Sequence, residues 1–365
     1  MNQKRERGLG PGELAWFVIS ILAGGGLLIH LPDAYRIAGR DAWILMAAVG
    51  LVIALAGALI GILARDFPGQ TVVRFAQAIL GRPLGWFTAF ILALYCLLAS
   101  AVTVRMTTEV VKSALLALTP SWLIVLILVA TSWYAAEQPI LAIARVNVML
   151  APLLLVLGMG ATLTALENFN PLHLRPVLTD HLVPILEGLA LGTVQVPGLE
   201  ALYFFAAHVA QPQKAARSIA IGAGVMGVAV TISALVTVGV LGASTPHYTF
   251  PILDSVKAAH LPGRLIERTE TIFLVTWIVA LYTRYCALFT AAVAGMTELF
   301  GIPERRLVSL PLAAVATLIA LFPSSQAQAR SLAAAVTRTS LATELGLALV
   351  LLLVARWRRR GRVKE

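Results

Sequence analysis

The chain has 365 residues, of which 59% are hydrophobic and 13% charged, with a formal net charge of +10 and a mean hydropathy of +0.86. A soluble globular domain carries about 25% charged residues, so this composition excludes one and points to an integral membrane protein. Much of the positive charge sits in the tail Arg356-Trp357-Arg358-Arg359-Arg360-Gly361-Arg362. Just past a last apolar run, such a cluster reads as a lipid-facing anchor, and nucleic acid is not expected as a partner.

Residues 1–10 form a basic arm, and no cleavable signal peptide is expected after it. Runs free of Asp, Glu, Lys and Arg then cover 14–32, 42–64, 83–104, 113–136, 146–166, 218–253 and 307–329. Each is long enough for a bilayer that takes about 20 helical residues to cross. Three further runs, 188–213, 271–297 and 339–355, hold one ionisable residue each: Glu200, Arg284 and Glu344. Ten transmembrane helices are therefore expected, in one membrane domain. The loop 166–183 splits them into five and five, which allows an inverted repeat of 12–166 and 184–356.

Along the chain, span 1 carries Gly24-Gly25-Gly26. Three consecutive glycines make a poor helix, each costing about 1 kcal/mol relative to Ala. An unwound segment here would free its N–H groups and aim the next half-helix's positive end at a carboxylate. Close helix packing through small residues is the alternative. Segment 70–80 places Val72, Val73, Ala76, Ile79 and Leu80 on one helical face, as in a helix lying on the cytoplasmic surface. Span 3 holds Tyr95, and Arg105 and Glu109 spaced to pair on one face. Arg145 opens span 5, either as a positive-inside anchor or as a fixed cation standing in for a coupling ion between spans 1, 5 and 8.

In span 6, Pro197 removes a donor and should break the helix across Gln195, Val196, Pro197 and Gly198. Glu200 then falls in the first turn of the following half-helix, where a negative charge is favoured. It reads equally as a structural cap and as charge balance for an amine, a proton or a gate. A second surface helix is expected over 252–261, ended by Pro262-Gly263. In span 8, Thr283 and Tyr285 flank Arg284, a mid-membrane cation whose partner is Glu200, Glu344 or a set of carbonyls. Cys96 and Cys286 lie in apolar spans and read as packing residues. The histidines lack metal-ligand spacing, and no triad or phosphate loop stands out. No metal, cofactor or enzymatic activity is expected.

With the N-terminus in the cytoplasm, the inside segments hold 17 Lys and Arg residues and the outside segments 9. The bias places both termini in the cytoplasm.

The segments Phe67-Pro68-Gly69-Gln70-Thr71, Ala144-Arg145-Val146-Asn147, Pro197-Gly198-Leu199-Glu200 and Glu267-Arg268-Thr269-Glu270-Thr271-Ile272-Phe273, followed by Trp277-Ile278, resemble the spore-germination permease family, the B subunits of endospore nutrient receptors. The resemblance runs from Gly12 to about Arg356, and it is carried by the order and spacing of loose motifs. It implies the amino acid–polyamine–organocation superfamily and an all-α, LeuT-like fold with helices 1 and 6 unwound around an amino-acid site. Gly24, Gly25 and Gly26 would match the first break and Gln195–Gly198 the second, with Tyr95 and Thr283 on pocket-lining spans. It further implies a germinant sensor in the spore inner membrane, partnered by an A-type membrane subunit and a C-type lipoprotein. Proton-coupled amino-acid transport is the competing function.

Overall fold

The computed structural model describes residues 8–25, 27–178, 182–190, 192, 197–259 and 269–362. α1 (Pro11–Ala23) begins with Pro at its first position and with Glu13 Oε2 accepting the Gly10 N–H at 2.7 Å. It stops at the glycines, and α2 (Leu27–Ala38) resumes beyond them. α3 (Ala42–Asp66) follows a short 3-10 turn, and α4 (Val72–Leu80) follows a loop. Val72, Val73, Phe75, Ala76 and Ile79 of α4 are buried. The surface helix expected at 70–80 thus exists, but its apolar face packs on protein.

α5 (Arg82–Ala114), α6 (Ser121–Glu137) and α7 (Ile140–Thr164) come next. The expected span 113–136 is therefore divided between the end of α5 and α6, and the span expected from 146 starts at Ile140. α8 (Val183–Ala190) and α9 (Leu202–Phe205) are two pieces of one interrupted span. α10 (Pro212–Leu241) is shorter than the run 218–253, because Gly242 turns the chain with φ 55°. α11 (Pro251–Lys257) is the expected second surface helix, again buried on its apolar side at Ile252, Leu253 and Val256. Pro262 and Gly263 lie outside the described residues. α12 (Thr269–Phe300), α13 (Arg306–Leu321), α14 (Gln326–Leu341) and α15 (Leu347–Arg362) complete the chain. A π-helical turn, Ala342–Gly346, joins the last two.

Among the described residues, six helices are long and apolar enough to cross a membrane, and α1, α6 and α13 are shorter apolar helices. Leu51, Ile127, Met149, Val156, Leu318 and Leu353 point outward and are more than half exposed. Such an apolar exterior over a helical interior suits lipid as solvent, because helices satisfy their own backbone groups.

Close packing fixes the frame. α3 and α10 make the most extensive helix pairing. They cross at Gly50 and Gly227, where a Cβ on Gly50 would sit 2.7 Å from the Gly227 Cα. Only hydrogen side chains allow that approach. α1 is packed among α10, α7 and α12, so its broken end lies at the centre of the bundle.

Candidate functional site

The first break is real, and its first two amides turn back onto α1. α1 ends at Ala23, and the N–H groups of Gly24 and Gly25 both turn back onto the Leu22 carbonyl, Gly25 at 3.0 Å. Two of the donors expected to await a carboxylate, those of Gly24 and Gly25, are thus used locally. A Cβ on Gly24 would lie 2.3 Å from the Ala280 carbonyl oxygen, so glycine here also serves contact with α12. Unwinding and close packing, posed as alternatives by the sequence, coexist. Gly26 lies outside the described residues.

At the second break Pro197 and Gly198 are outside helix, but α8 already ends at Ala190, and Gln195 and Val196 lie outside the described residues. The chain re-enters helix through the 3-10 turn Leu199–Ala201, which leads into α9. Glu200 stands in that turn, fully buried. Its Oε2 accepts the Gly198 N–H at 2.7 Å, and its Oε1 accepts the Thr343 hydroxyl at 2.8 Å. Glu344, in the π-helical turn, brings Oε1 to the same Gly198 N–H at 3.1 Å and to the Leu199 N–H at 3.0 Å. Two buried carboxylates therefore cap one short helical start, which answers the exposed amide dipoles there. The Tyr203 hydroxyl donates to the carbonyls of Thr343 and Glu344, at 3.2 and 3.3 Å, tying α9 to the same turn.

The polar residues expected at middle depth divide. Tyr95 donates to the Val336 carbonyl of α14 at 2.9 Å. Thr283 donates to the Ala280 carbonyl at 2.8 Å and reaches the Ser20 carbonyl of α1 at 3.3 Å. Both hydroxyls are committed to main chain and brace neighbouring helices. Arg284 differs: it is 6% exposed, its Nε has no partner, and no carboxylate of the described residues lies within ion-pair distance. Arg105 is paired as its spacing indicates, Nη2 to Glu109 Oε1 at 2.6 Å. Arg145 sits on the exposed face of α7, away from the centre between spans 1, 5 and 8. From α7 it is Asn147 that reaches α12, donating to the Thr283 carbonyl at 3.3 Å.

Arg284 and Pro197 line a small cavity together with His30, Thr103, Leu281 and Thr337. Its volume of about 30 Å³ is room for one or two water molecules. His30 also lines a second, larger cavity of about 520 Å³ between α2 and α14, bordered by Asp33, Arg36, Arg330 and Arg338. A contact of 3.3 Å between His30 Nε2 and the Thr337 hydroxyl stands where the two cavities adjoin. On the other face, the chain before α1 is clamped to the end of span 6. The Leu9 N–H donates to the His208 carbonyl at 2.8 Å, and the Ala210 N–H to the Leu9 carbonyl at 2.9 Å. The small cavity is thus parted from the larger one, a vestibule between α2 and α14, by the His30–Thr337 contact, and the face towards the N-terminus is closed by the Leu9 pairing.

Sequence reasoning missed His30, Asn147 and the capping role of Glu344. His30 had a signal: an imidazole four residues beyond the glycine break, inside an apolar run. Glu344 had one too, as a lone carboxylate in its span, but nothing local tied it to Gly198.

Comparison with known proteins fits this architecture. A family model described as "Spore germination protein" matches residues 9–329. Spore germination protein YndE of Bacillus subtilis is 28% identical over 93% of this chain and 94% of its own length. Spore germination protein B2 of the same organism is 22% identical over 79% of this chain and 78% of its own. Among solved structures, MhsT in complex with L-phenylalanine superposes with a TM-score of 0.59 at 16% identity, covering 94% of this chain and 85% of MhsT. A manganese transporter of Eremococcus coleocola gives 0.59 at 14% identity, over 97% and 81%. These structures share the LeuT-like transporter fold, and over nearly its whole length the chain belongs to the spore germination protein family.

Proposed function

We propose that this chain is the ligand-binding, B-type subunit of a spore nutrient receptor, and that it holds a small amino acid where its two interrupted helices meet. One observation carries the reading: Arg284, a buried guanidinium without a carboxylate partner among the described residues, lines a cavity with Pro197 of the second break and His30 beyond the first. A fixed cation in a water-poor site is matched by a carboxylate ligand, and guanidinium grips carboxylates in two-point fashion. The ligand's ammonium would turn towards Glu200 at the second break. Occupation requires the small cavity to widen, and His30 with Thr337 is the pair that must part to join it to the vestibule.

The same reading takes the halves 12–166 and 184–356 as inverted repeats, since each begins with its broken helix. The excess of Lys and Arg supports cytoplasmic termini, with the vestibule facing outward across the spore inner membrane. An A-type membrane subunit and a C-type lipoprotein would receive the ligand-driven shift between conformations. The test is calorimetric titration of L-alanine and other small amino acids into the purified protein, beside the Arg284→Gln variant. A loss of at least about tenfold in affinity, roughly 1.4 kcal/mol, is expected from removing the charge. Equal affinity in both proteins would remove Arg284, and with it this pocket, from the ligand.

The two buried carboxylates at the second break favour proton-coupled transport as the second reading. Uptake of labelled amino acid by proteoliposomes, driven by a pH gradient, separates transport from sensing.

A further inference from the structure

The carboxyl groups of Glu200 and Glu344 are not merely near each other. They share the Gly198 amide, and they lie within hydrogen-bonding reach of one another. An ionised carboxylate is an acceptor only, so two of them cannot bond without a proton between them. Both are almost completely withdrawn from solvent, at 0% and 2% exposure.

An independent observation concerns the charge around them. Arg284 is the buried cation within electrostatic reach of both, it is not ion-paired to either, and its Nε lacks a partner. One positive charge balances one carboxylate. The second must be neutral if the centre of the membrane is not to hold a net charge, which is strongly disfavoured there. The other ionisable groups facing the pair are Tyr95 and Cys96 on α5 and Tyr203 on α9, all neutral in their ordinary forms. His30 on α2 faces Arg284 across the small cavity. A metal ion is not the natural occupant, because the groups aimed at the carboxylates are N–H and O–H donors.

We propose that Glu200 and Glu344 form a proton-binding site, in which the two carboxyl groups share one proton and Arg284 supplies the single balancing charge. The site joins two irregular segments, the span-6 break and the π-helical turn of span 10. A π turn is a common device for aiming a functional side chain. While the proton is present, Glu344 can remain on the amides of Gly198 and Leu199 beside Glu200. When it leaves to water, two like charges face one amide, and the α14–α15 turn is driven away from the break. Proton occupancy and the position of span 10 are thereby linked.

The experiment is infrared spectroscopy of the purified full-length protein in lipid nanodiscs, in H2O and D2O. The wild type is expected to show the carbonyl stretch of one buried carboxylic acid at neutral pH, shifted in D2O and replaced by carboxylate absorption as pH rises. Glu200→Gln and Glu344→Gln should each abolish it, because the remaining carboxylate is then balanced by Arg284 without a proton. Absence of the band in the wild type overturns the proposal, and so does its survival in either glutamine variant. A band that depends on sodium also overturns it. Should the glutamine variants fail to fold, Thr343→Val, which deletes one donor to Glu200, must shift the band; an unchanged frequency counts against the pair. The proposal is separable from the ligand reading: amino-acid binding without the band sinks the pair alone, whereas the band in a protein that binds no amino acid leaves the pair standing.

Discussion

A single glycine shows how residue chemistry sets the centre of this molecule. Gly24 ends α1, yet its more stringent task is steric, since a methyl group there would meet the main chain of Ala280 and Leu281 at 2.3–2.8 Å. Backbone cannot rotate aside as a side chain can, so Gly24→Ala must push α1 away from α12. Overpacking of this kind costs about 1–3 kcal/mol. Thermal unfolding of the purified variant should show a lower midpoint than wild type. Gly12→Ala provides the control, because nothing lies within 4 Å of its added Cβ. Equal loss in both variants would mean that helix propensity or the unfolded chain, and not the α1–α12 contact, sets the effect. At the same scale, Arg284 and Arg105 show why buried arginines need individual treatment. One is paired within its own helix and braces the Ala320 carbonyl at 3.4 Å, and the other faces a cavity.

At the scale of elements, the Arg105–Glu109 pair lets α5 carry charge through the bundle. Both side chains are at most 14% exposed. Removing one partner leaves the other buried and unbalanced, which typically costs about 3–5 kcal/mol. Glu109→Gln should therefore destabilise the protein strongly, whereas Arg105→Met with Glu109→Leu should recover much of the loss. Chemical or thermal unfolding of the three variants checks this, and a double variant no better than Glu109→Gln would contradict it. The elements themselves were largely legible in the sequence. Apolar runs are local, and so are Gly24–Gly26, Pro197 and the i,i+4 spacing of Arg105 and Glu109. What local pattern does not encode is which helices meet. The family resemblance placed Tyr95 and Thr283 on pocket-lining spans, while their own polarity at middle depth fitted local backbone acceptors, and their hydroxyls do donate to carbonyls of α14, α12 and α1. The pairing of Glu200 with Glu344 links residues 144 positions apart and depends on a π turn that no propensity signals. Arg145 illustrates the reverse case: its neighbour Asn147, two residues on, faces α12 while Arg145 faces outward.

For the whole molecule, the two ends of the central site are in opposite states. The end near α2 and α14 holds a cavity of about 520 Å³, within the roughly 300–1,000 Å³ usual for small-molecule sites. The end near the N-terminus is sealed by the backbone pairing of Leu9 with His208 and Ala210. This asymmetry makes accessibility measurable without altering the background, because the native Cys96 and Cys286 are both buried and should not react. A cysteine in place of Ala334, on the vestibule wall, should take up a membrane-impermeant maleimide in the absence of ligand. A cysteine in place of Ala206, 7% exposed behind the Leu9 clamp, should react at least about tenfold more slowly, since a thiol must be accessible to react. Adding an amino acid that binds should slow labelling at position 334 by closing or filling the vestibule. If the molecule instead exchanges freely between faces at rest, both cysteines would label at similar rates, and the closed N-terminal face would not be the resting state of the ligand-free protein.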